Sequence, residues 1–413
     1  MIVKAANNKK SHLGIILLTI FIDMIGFGIV IPVLPLYAQH FGASSIANGF
    51  LVGIYSAVQF IFSPIMGKIS DRLGRRPVLI YSVIGTAIGY WIMGAAGSLM
   101  WLFIARITAG ITGGNISTAQ AYVADITTPE ERSGAMGLIG AAFGLGFIVG
   151  PAIGGVLSGF YNFRAPFYFA AGLAVVNALF IALRLPESLD AEHRAHPAHR
   201  QPFRDVLQHS NRQILVTTIA VYFFLITGFS IMTALYALFM DHRFGLDAKH
   251  TGYIFAYIGI IGVLIQGGMI RRMVPKYGER KLAAFGAVVL AASLFALPFS
   301  RTMTFLLVAS GGIAIGNSFL TPTLNGLLSR SVDKRWQGRA LGLLQSSGSL
   351  GRAVGPAFAG WLAVFDFVGG KPGPNYGVTP FVVAGILLVV VFVLLLSLFR
   401  TEPAPLDQSC ELV

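Results

Sequence analysis

The chain has 413 residues, of which 55% are hydrophobic and only 11% charged, against about 25% charged in an ordinary soluble domain. That composition excludes a water-soluble protein; the length divides instead into apolar membrane spans of about 20 residues each, with room for about twelve. The net charge of +13 does not point to nucleic acid, because the basic residues sit in short loops between apolar runs, as anionic lipid on one membrane face favours.

Lys4, Lys9 and Lys10 precede an apolar run too long for a signal-peptide core, with no small-residue cleavage site before Pro32, so 13–37 reads as a retained first span. Asp23 lies about ten residues into it, roughly 15 Å deep and near the bilayer midplane. A carboxylate there costs a few kcal/mol. Desolvation favours its neutral form and a neighbouring cation its charged form, so a group held between them can gain and lose a proton.

The second span, 48–66, runs into Gly67-Lys68-Ile69-Ser70-Asp71-Arg72-Leu73-Gly74-Arg75-Arg76-Pro77, a strongly basic hairpin loop before the third span, 77–96. The fourth, 99–124, carries Arg106 a turn or two inside its outer end. It is the natural partner of Asp23 at a depth difference of roughly 5–10 Å, which its side chain and water bridge. Protonating Asp23 would leave Arg106 short of a counter-charge, making protonation and helix arrangement interdependent. The fifth span, 135–159, lines up Gly146, Gly150, Pro151, Gly154 and Gly155 at three- and four-residue spacing, a surface on which helices pack closely.

After the sixth span, 165–184, a polar stretch over 185–212 reads as a linker between an N-terminal half, 1–184, and a C-terminal half, 213–413. His193, His196 and His199 lie in it without a carboxylate or thiolate cluster, so a solvated linker is expected and no metal site. Further spans fall at 213–240, 251–270, 282–299, 303–328, 340–365 and 378–399. Arg352, the third intramembrane charge, has no buried acid in its half; it attracts an anionic substrate group or bonds the carbonyls of broken helices. The one cysteine, Cys410, excludes an intrachain disulfide.

The halves repeat. Leu145-Gly146-Phe147-Ile148-Val149-Gly150-Pro151-Ala152-Ile153-Gly154-Gly155 matches Leu350-Gly351-Arg352-Ala353-Val354-Gly355-Pro356-Ala357-Phe358-Ala359-Gly360 at an offset of 205. Tyr277-Gly278-Glu279-Arg280-Lys281 follows Leu73-Gly74-Arg75-Arg76-Pro77 at nearly the same offset, and Asn317 echoes Asn115. Most Lys and Arg fall on the N-terminal side of the bilayer, with only Arg164, Arg243, Lys249, Arg301 and Lys371 in the opposite loops. Both termini are therefore expected to be cytoplasmic. On that side Arg72, Arg75 and Arg76 are expected to pair with Asp125, Glu130 and Glu131. Asp71 is expected to face the positive N-terminal end of the eleventh span, and these contacts would hold the cytoplasmic side shut.

Together these features resemble the twelve-helix drug:proton antiporters of the major facilitator superfamily, close to the tetracycline efflux proteins. Asp23, Gly26, Gly28, Pro32 and Pro35 meet the first-helix signature, and Gly67, Asp71, Arg72, Gly74, Arg75 and Arg76 the gate signature. Arg106 to Gly113, Ala121 to Thr127, Gly146 to Gly155, Ala165-Pro166-Phe167 and Leu185-Pro186-Glu187-Ser188 supply the rest. The resemblance implies an all-α polytopic fold, two pseudo-symmetric six-helix bundles, alternating access, proton antiport in the inner membrane, and Asp23 and Arg106 as coupling residues. Two departures stand out. The acid that tetracycline exporters carry in helix nine is Leu290 here. Their helix-eight histidine is Gly262, although Gln266 is kept. These changes count against a tetracycline–metal chelate and a second proton site. The C-terminal counterpart of the gate loop is eroded as well, with Pro275 where Asp71 would repeat.

The expected function is proton-driven export of a small amphipathic molecule, with the proton as coupling ion, no cofactor, and a monomer in lipid as the working form. Candidate substrate contacts are Gln59, Asn115, Gln120, Phe147, Tyr236, Tyr253, Tyr257, Asn317, Gln345 and Arg352. The alternative is a transporter of a specific metabolite, siderophore, sugar or lipid-like molecule. A non-transporting receptor would have no use for a midplane acid, an intramembrane Arg and two Gly-Pro hinges. An enzyme is not expected, since no nucleophile–base pair, metal cluster or phosphate-cradling loop is present.

Overall fold

A computed structural model describes residues 2–189, 211–332, 336–368, 371–373 and 375–399. Lipid offers the backbone no hydrogen bonds, so apolar segments close their own as helices. The N-terminal half contains α1 (Ile2–His40), α2 (Ser45–Leu73), α3 (Arg75–Ala95), α4 (Leu99–Thr112), α5 (Asn115–Ile126), α6 (Pro129–Phe160) and α7 (Ala165–Arg184). The C-terminal half contains α8 (Arg212–Phe244), α9 (Ala248–Leu264), α10 (Ile270–Tyr277), α11 (Glu279–Ala296), α12 (Met303–Arg330), α13 (Gln337–Leu362) and α14 (Val378–Phe399). Among the described residues, 11 helical segments are long and apolar enough to cross a membrane. The eleventh expected span, α13, has the length but not the apolarity: Gln345, Ser346, Ser347, Ser349 and Arg352 break its hydrophobic run.

Two expected spans are broken. The fourth divides into α4 and α5 at Gly113 and Gly114, where glycine weakens the helix. Side chains take up the carbonyls released there. Gln59 Nε2 donates to Gly113 O at 2.6 Å, and Ser82 Oγ donates to Thr112 O. The eighth passes from α9 to α10 through a π-helical turn over Ile265–Met269, a wide turn that such helices use near functional positions.

The apolar side chains form two main cores. One gathers residues between Ile15 and Leu185, the other residues between Ile214 and Leu398 together with Leu36. The sequence repeat reappears as repeated packing. A Cβ on Gly150 would stand 2.5 Å from Ile25 O of α1, and one on its counterpart Gly355 would stand 2.8 Å from Thr227 O of α8. Gly146 and Gly154 press on α1 likewise, against Phe21 O and Ile29 O. The last glycine of each stripe meets the opposite half instead. A Cβ on Gly155 would lie 2.5 Å from Gly252 Cα of α9, and one on Gly360 would lie 3.1 Å from Gly49 Cα and 2.4 Å from Ser45 O of α2.

These two contacts seal the bundle at the end remote from the Gly67–Pro77 loop. That loop marks the basic end; the other is the far end. The far-end seal also holds a bond between Gln39 Nε2 and His242 Nε2 at 3.1 Å and a hydrogen bond between Tyr376 and Ser45. Toward the basic end no such close glycine contact joins the halves among the described residues. Gly140, Gly267, Gly268 and Gly342 have open space where a Cβ would lie, and most of α2 beyond Phe60 is exposed.

Asp366, between α13 and α14, accepts hydrogen bonds from Gly377 N at 2.9 Å and Thr379 N at 3.2 Å, capping α14 from the far-end loop. Burial pushes its carboxyl above the usual carboxylate range, against the hydrogen bonds from Thr379 and Gly377. Its folded pKa is raised, so its stabilising contribution is complete below the unfolded value, about 4, and is lost as pH rises through the folded one. Asp366→Asn is expected to flatten the melting temperature against pH above about pH 4. A wild-type slope surviving in the variant would refute this.

Candidate functional site

Asp23 of α1 is half-buried, and the side-chain amide of Asn115 hydrogen-bonds its carboxyl. Asn115 opens α5 at the break of the fourth span, so the acid is held at the start of a half-helix, the positive end of a helix dipole. The amide oxygen of Asn115 is buried without a partner. Arg106, on α4, is 3% exposed. Its Nη2 donates to Val52 O at 3.0 Å and its Nε to Leu51 O at 3.4 Å, and its guanidinium stacks 4.5 Å over the Tyr55 ring. No ion pair joins Asp23 to Arg106 among the described residues; backbone carbonyls and an aromatic face satisfy the guanidinium.

Two tyrosines fill the space between the charges. Tyr55 lies in the fields of Asp23, Arg106 and Arg352, and Tyr90 in those of Asp23, Arg106 and Tyr55. The Tyr55 hydroxyl accepts from Gln59 Nε2 at 3.2 Å, and the Tyr90 hydroxyl lies 2.8 Å from where a Cβ on Gly26 would sit. The fields of all three intramembrane charges thus reach Tyr55, with Arg106 directly over its ring.

At the basic end, Arg75 Nη1 donates to Asp71 at 2.5 Å and Arg75 Nε to Asp125 at 3.1 Å. Gly74, at φ 104°, ends α2 and starts α3. The Glu187 carboxylate caps α3 there, accepting from Arg75 N at 2.8 Å and Arg76 N at 3.2 Å, while Arg76 Nη2 donates to Ala182 O at 2.5 Å. These contacts of Arg75 and Arg76 stay inside the N-terminal half, binding the loop to α5, to the end of α7 and to the residues after it. Glu187→Ala is expected to cost about 1 kcal/mol, the usual worth of an N-terminal cap, read as a lowered melting temperature in detergent. An unchanged melting temperature would show that the cap does not carry weight.

The Major Facilitator Superfamily model matches residues 16–277 and 268–409. The chain belongs to the major facilitator superfamily. Over 357 residues, 84% of this chain and 88% of the relative, it is 36% identical to the tetracycline resistance protein, class C, of Escherichia coli. It is 31% identical to multidrug resistance protein 2 of Bacillus subtilis (strain 168), covering 94% of this chain and 95% of that protein. Among solved structures, the human organic anion transporter MFSD10 (TETRAN) superposes with a TM-score of 0.72 at 25% identity over 94% of this chain and 99% of its own. A bacterial homologue of the lysosomal transporter Spinster, in an inward-facing and occupied conformation, superposes at 0.77 and 17% identity, over 94% of this chain and 96% of its own, a likeness of fold.

As a major facilitator protein the chain is a multi-pass membrane transporter and not an enzyme. Its expected substrate contacts divide. Asn115 serves the acid, and Gln59 closes the α4–α5 break. Gln345 bonds Tyr222, and Asn317 accepts from Thr321 at 3.3 Å within α12; Gln120 is half-buried on α5. Tyr236 is wholly buried, bonded to Ser310 and packed on Phe255. It is core, because α8 turns that face inward. Tyr253 sits exposed near the far end beside His250, away from the charges. The Tyr257 hydroxyl approaches Gly311 of α12. The Phe147 side chain, those of Glu130 and Glu131, and the linker histidines lie outside the described residues. Leu290 is fully buried, and Gln266 Nε2 donates to Ser318 at 3.4 Å. Tyr55 and Tyr90 are absent from the sequence expectations, and Glu187 figures there only within the Leu185-Pro186-Glu187-Ser188 signature, without a role as a cap; Tyr55, one helical turn before Gln59, has a legible signal.

Proposed function

We propose that this protein exports a small amphipathic compound, a drug among others, in exchange for protons, by alternating between an opening at the basic end and one at the far end. In this reading the basic end is cytoplasmic, as are both termini, and the protein works as a monomer in the inner membrane. The observation that carries it is Asp23. The carboxyl is half-buried at mid-bilayer depth, held by an amide and a helix start and without a salt-bridge partner among the described residues, so either a proton or a cationic group can neutralise it. Its neighbours are phenols and a guanidinium already spent on carbonyls, so no fixed cation locks the acid in its charged form.

An arrangement sealed at the far end and open at the basic end is the one that would load from the cytoplasm. One proton falling through 100 mV supplies about 2.3 kcal/mol, which sustains roughly a fiftyfold gradient. The tetracycline and multidrug relatives support drugs as the cargo. Purified protein in proteoliposomes with an imposed pH gradient tests the reading: compounds that are substrates should drive proton movement when added. Proton flux unchanged across a broad amphipathic panel would remove it.

A further inference from the structure

Arg352 is an intramembrane guanidinium with one hydrogen-bond partner among the described residues. It stands on α13, half-buried. Its Nη2 donates to Ser349 Oγ at 2.9 Å, on its own helix. Among the described residues no carboxylate lies within ion-pairing distance of it and no backbone carbonyl accepts from it, so most of its donor positions are unused. The contrast with Arg106, which has two carbonyls and an aromatic face, is within one molecule and at similar depth. An uncompensated charge inside a membrane costs several kcal/mol unless something completes it.

Its position says what would complete it. Tyr222 of α8 and Tyr55 of α2 both feel its charge. Gly348 lies beside both groups: a Cβ there would stand 2.6 Å from Tyr222 Cε1 and in ordinary contact, 3.5 Å, with Arg352 Nη1. Tyr55 feels Asp23 from the other half as well. A Cβ on Gly53 of α2 would stand 2.7 Å from Ala353 O, so α2 packs, two residues before Tyr55, on the turn of α13 that carries Arg352, while Asp23 acts on the same phenol from α1.

We propose that Arg352 is the anion subsite for a zwitterionic substrate, whose carboxylate or other anionic group bonds the guanidinium while its ammonium neutralises Asp23. This rests on the export reading above and names its substrate class. A wholly anionic compound would meet repulsion from ionised Asp23. A simple cation would leave Arg352 uncompensated. A molecule with both charges completes both residues and spans the two halves, and a proton arriving at Asp23 displaces only its cationic end.

The test uses matched pairs in proteoliposomes with an imposed pH gradient: amphipathic amino-carboxylates, such as a piperazinyl fluoroquinolone, each beside its carboxyl methyl ester. Wild type should export the zwitterion over its ester. Arg352→Gln should cut zwitterion export about tenfold or more, the loss of a charge-assisted hydrogen bond, and leave ester export little changed, while Arg352→Lys recovers part of it. Equal export of zwitterion and ester, or an equal fall of both in Arg352→Gln with an unaltered melting temperature, would overturn the subsite. Replacing chloride by gluconate separates a substrate carboxylate from an inorganic counter-ion. A chloride requirement shared by both compounds would overturn the proposal in favour of chloride. If wild type moves no member of any pair, the export reading itself fails and the inference falls with it; if wild type moves esters alone, only the inference fails.

Discussion

Asp23→Asn should abolish export driven by a pH gradient while leaving folding intact. Asparagine has the shape of the acid and still meets the Asn115 amide, so the start of α5 keeps its contact and the helix packing is undisturbed. What it cannot do is take up a proton. The gradient a wild-type molecule sustains at 100 mV, roughly fiftyfold, should fall to near equality, with the compound moving only down its own gradient. Right-side-out and inverted vesicles carrying equal amounts of the two proteins report this as accumulation ratios. Uphill accumulation by the variant would place the coupling proton elsewhere. Asp23→Glu is expected to retain partial coupling, since it keeps an ionisable oxygen pair displaced by one methylene.

The second large effect concerns the far-end seal. Gly155→Leu or Gly360→Leu should trap the transporter open at that end. At both positions the first atom of a side chain would strike backbone, Gly252 Cα and Ala248 O in one case and Ser45 O in the other. Backbone cannot rotate away as a flexible side chain does. Overpacking typically costs about 1–3 kcal/mol, and here the cost falls on the sealed arrangement alone. Each 1.4 kcal/mol moves the two populations by about tenfold. In a Cys410→Ser background a thiol at Ser56, one turn below the Gly49–Gly53 contact surface on α2, should react with a membrane-impermeant reagent from the far side in either variant, and slowly without them. Gly172→Leu, which has open space around it, serves as the control and should leave labelling unchanged. Slow labelling in the Gly155 and Gly360 variants alike would mean the seal tolerates them.

The span count and the twofold repeat were legible because both come from composition along the chain. Lipid imposes apolar runs of fixed length. A glycine stripe duplicated at 205 residues had to be packed twice, and Gly150 on α1 with Gly355 on α8 is the result. The break between α4 and α5 was harder to see although Gly113-Gly114 is plain in the sequence: hydropathy averages over a window, and an interrupted helix of constant polarity averages like an intact one. The polarity of α13 had the opposite effect, since Gln345, Ser349 and Arg352 face protein rather than lipid and a polar helix still spans.

The partners of the charges were the least legible. Depth along a helix places Asp23 and Arg106 near one another, but rotation about each axis decides who touches whom, and that is set by packing between distant segments. Arg106 turned to the carbonyls of α2, and the amide of Asn115 took the acid because α5 restarts there. Glu187 is similar. Its role depends on the chain after α7 returning to the start of α3, across 112 residues of sequence.

The most direct measurement is proton counting at equilibrium. Purified protein in weakly buffered detergent solution near neutral pH receives a compound that it exports, and the released protons are titrated. Displacement of a proton from the midplane acid predicts a release that vanishes in Asp23→Asn while the compound still binds. Equal release from both proteins would contradict it.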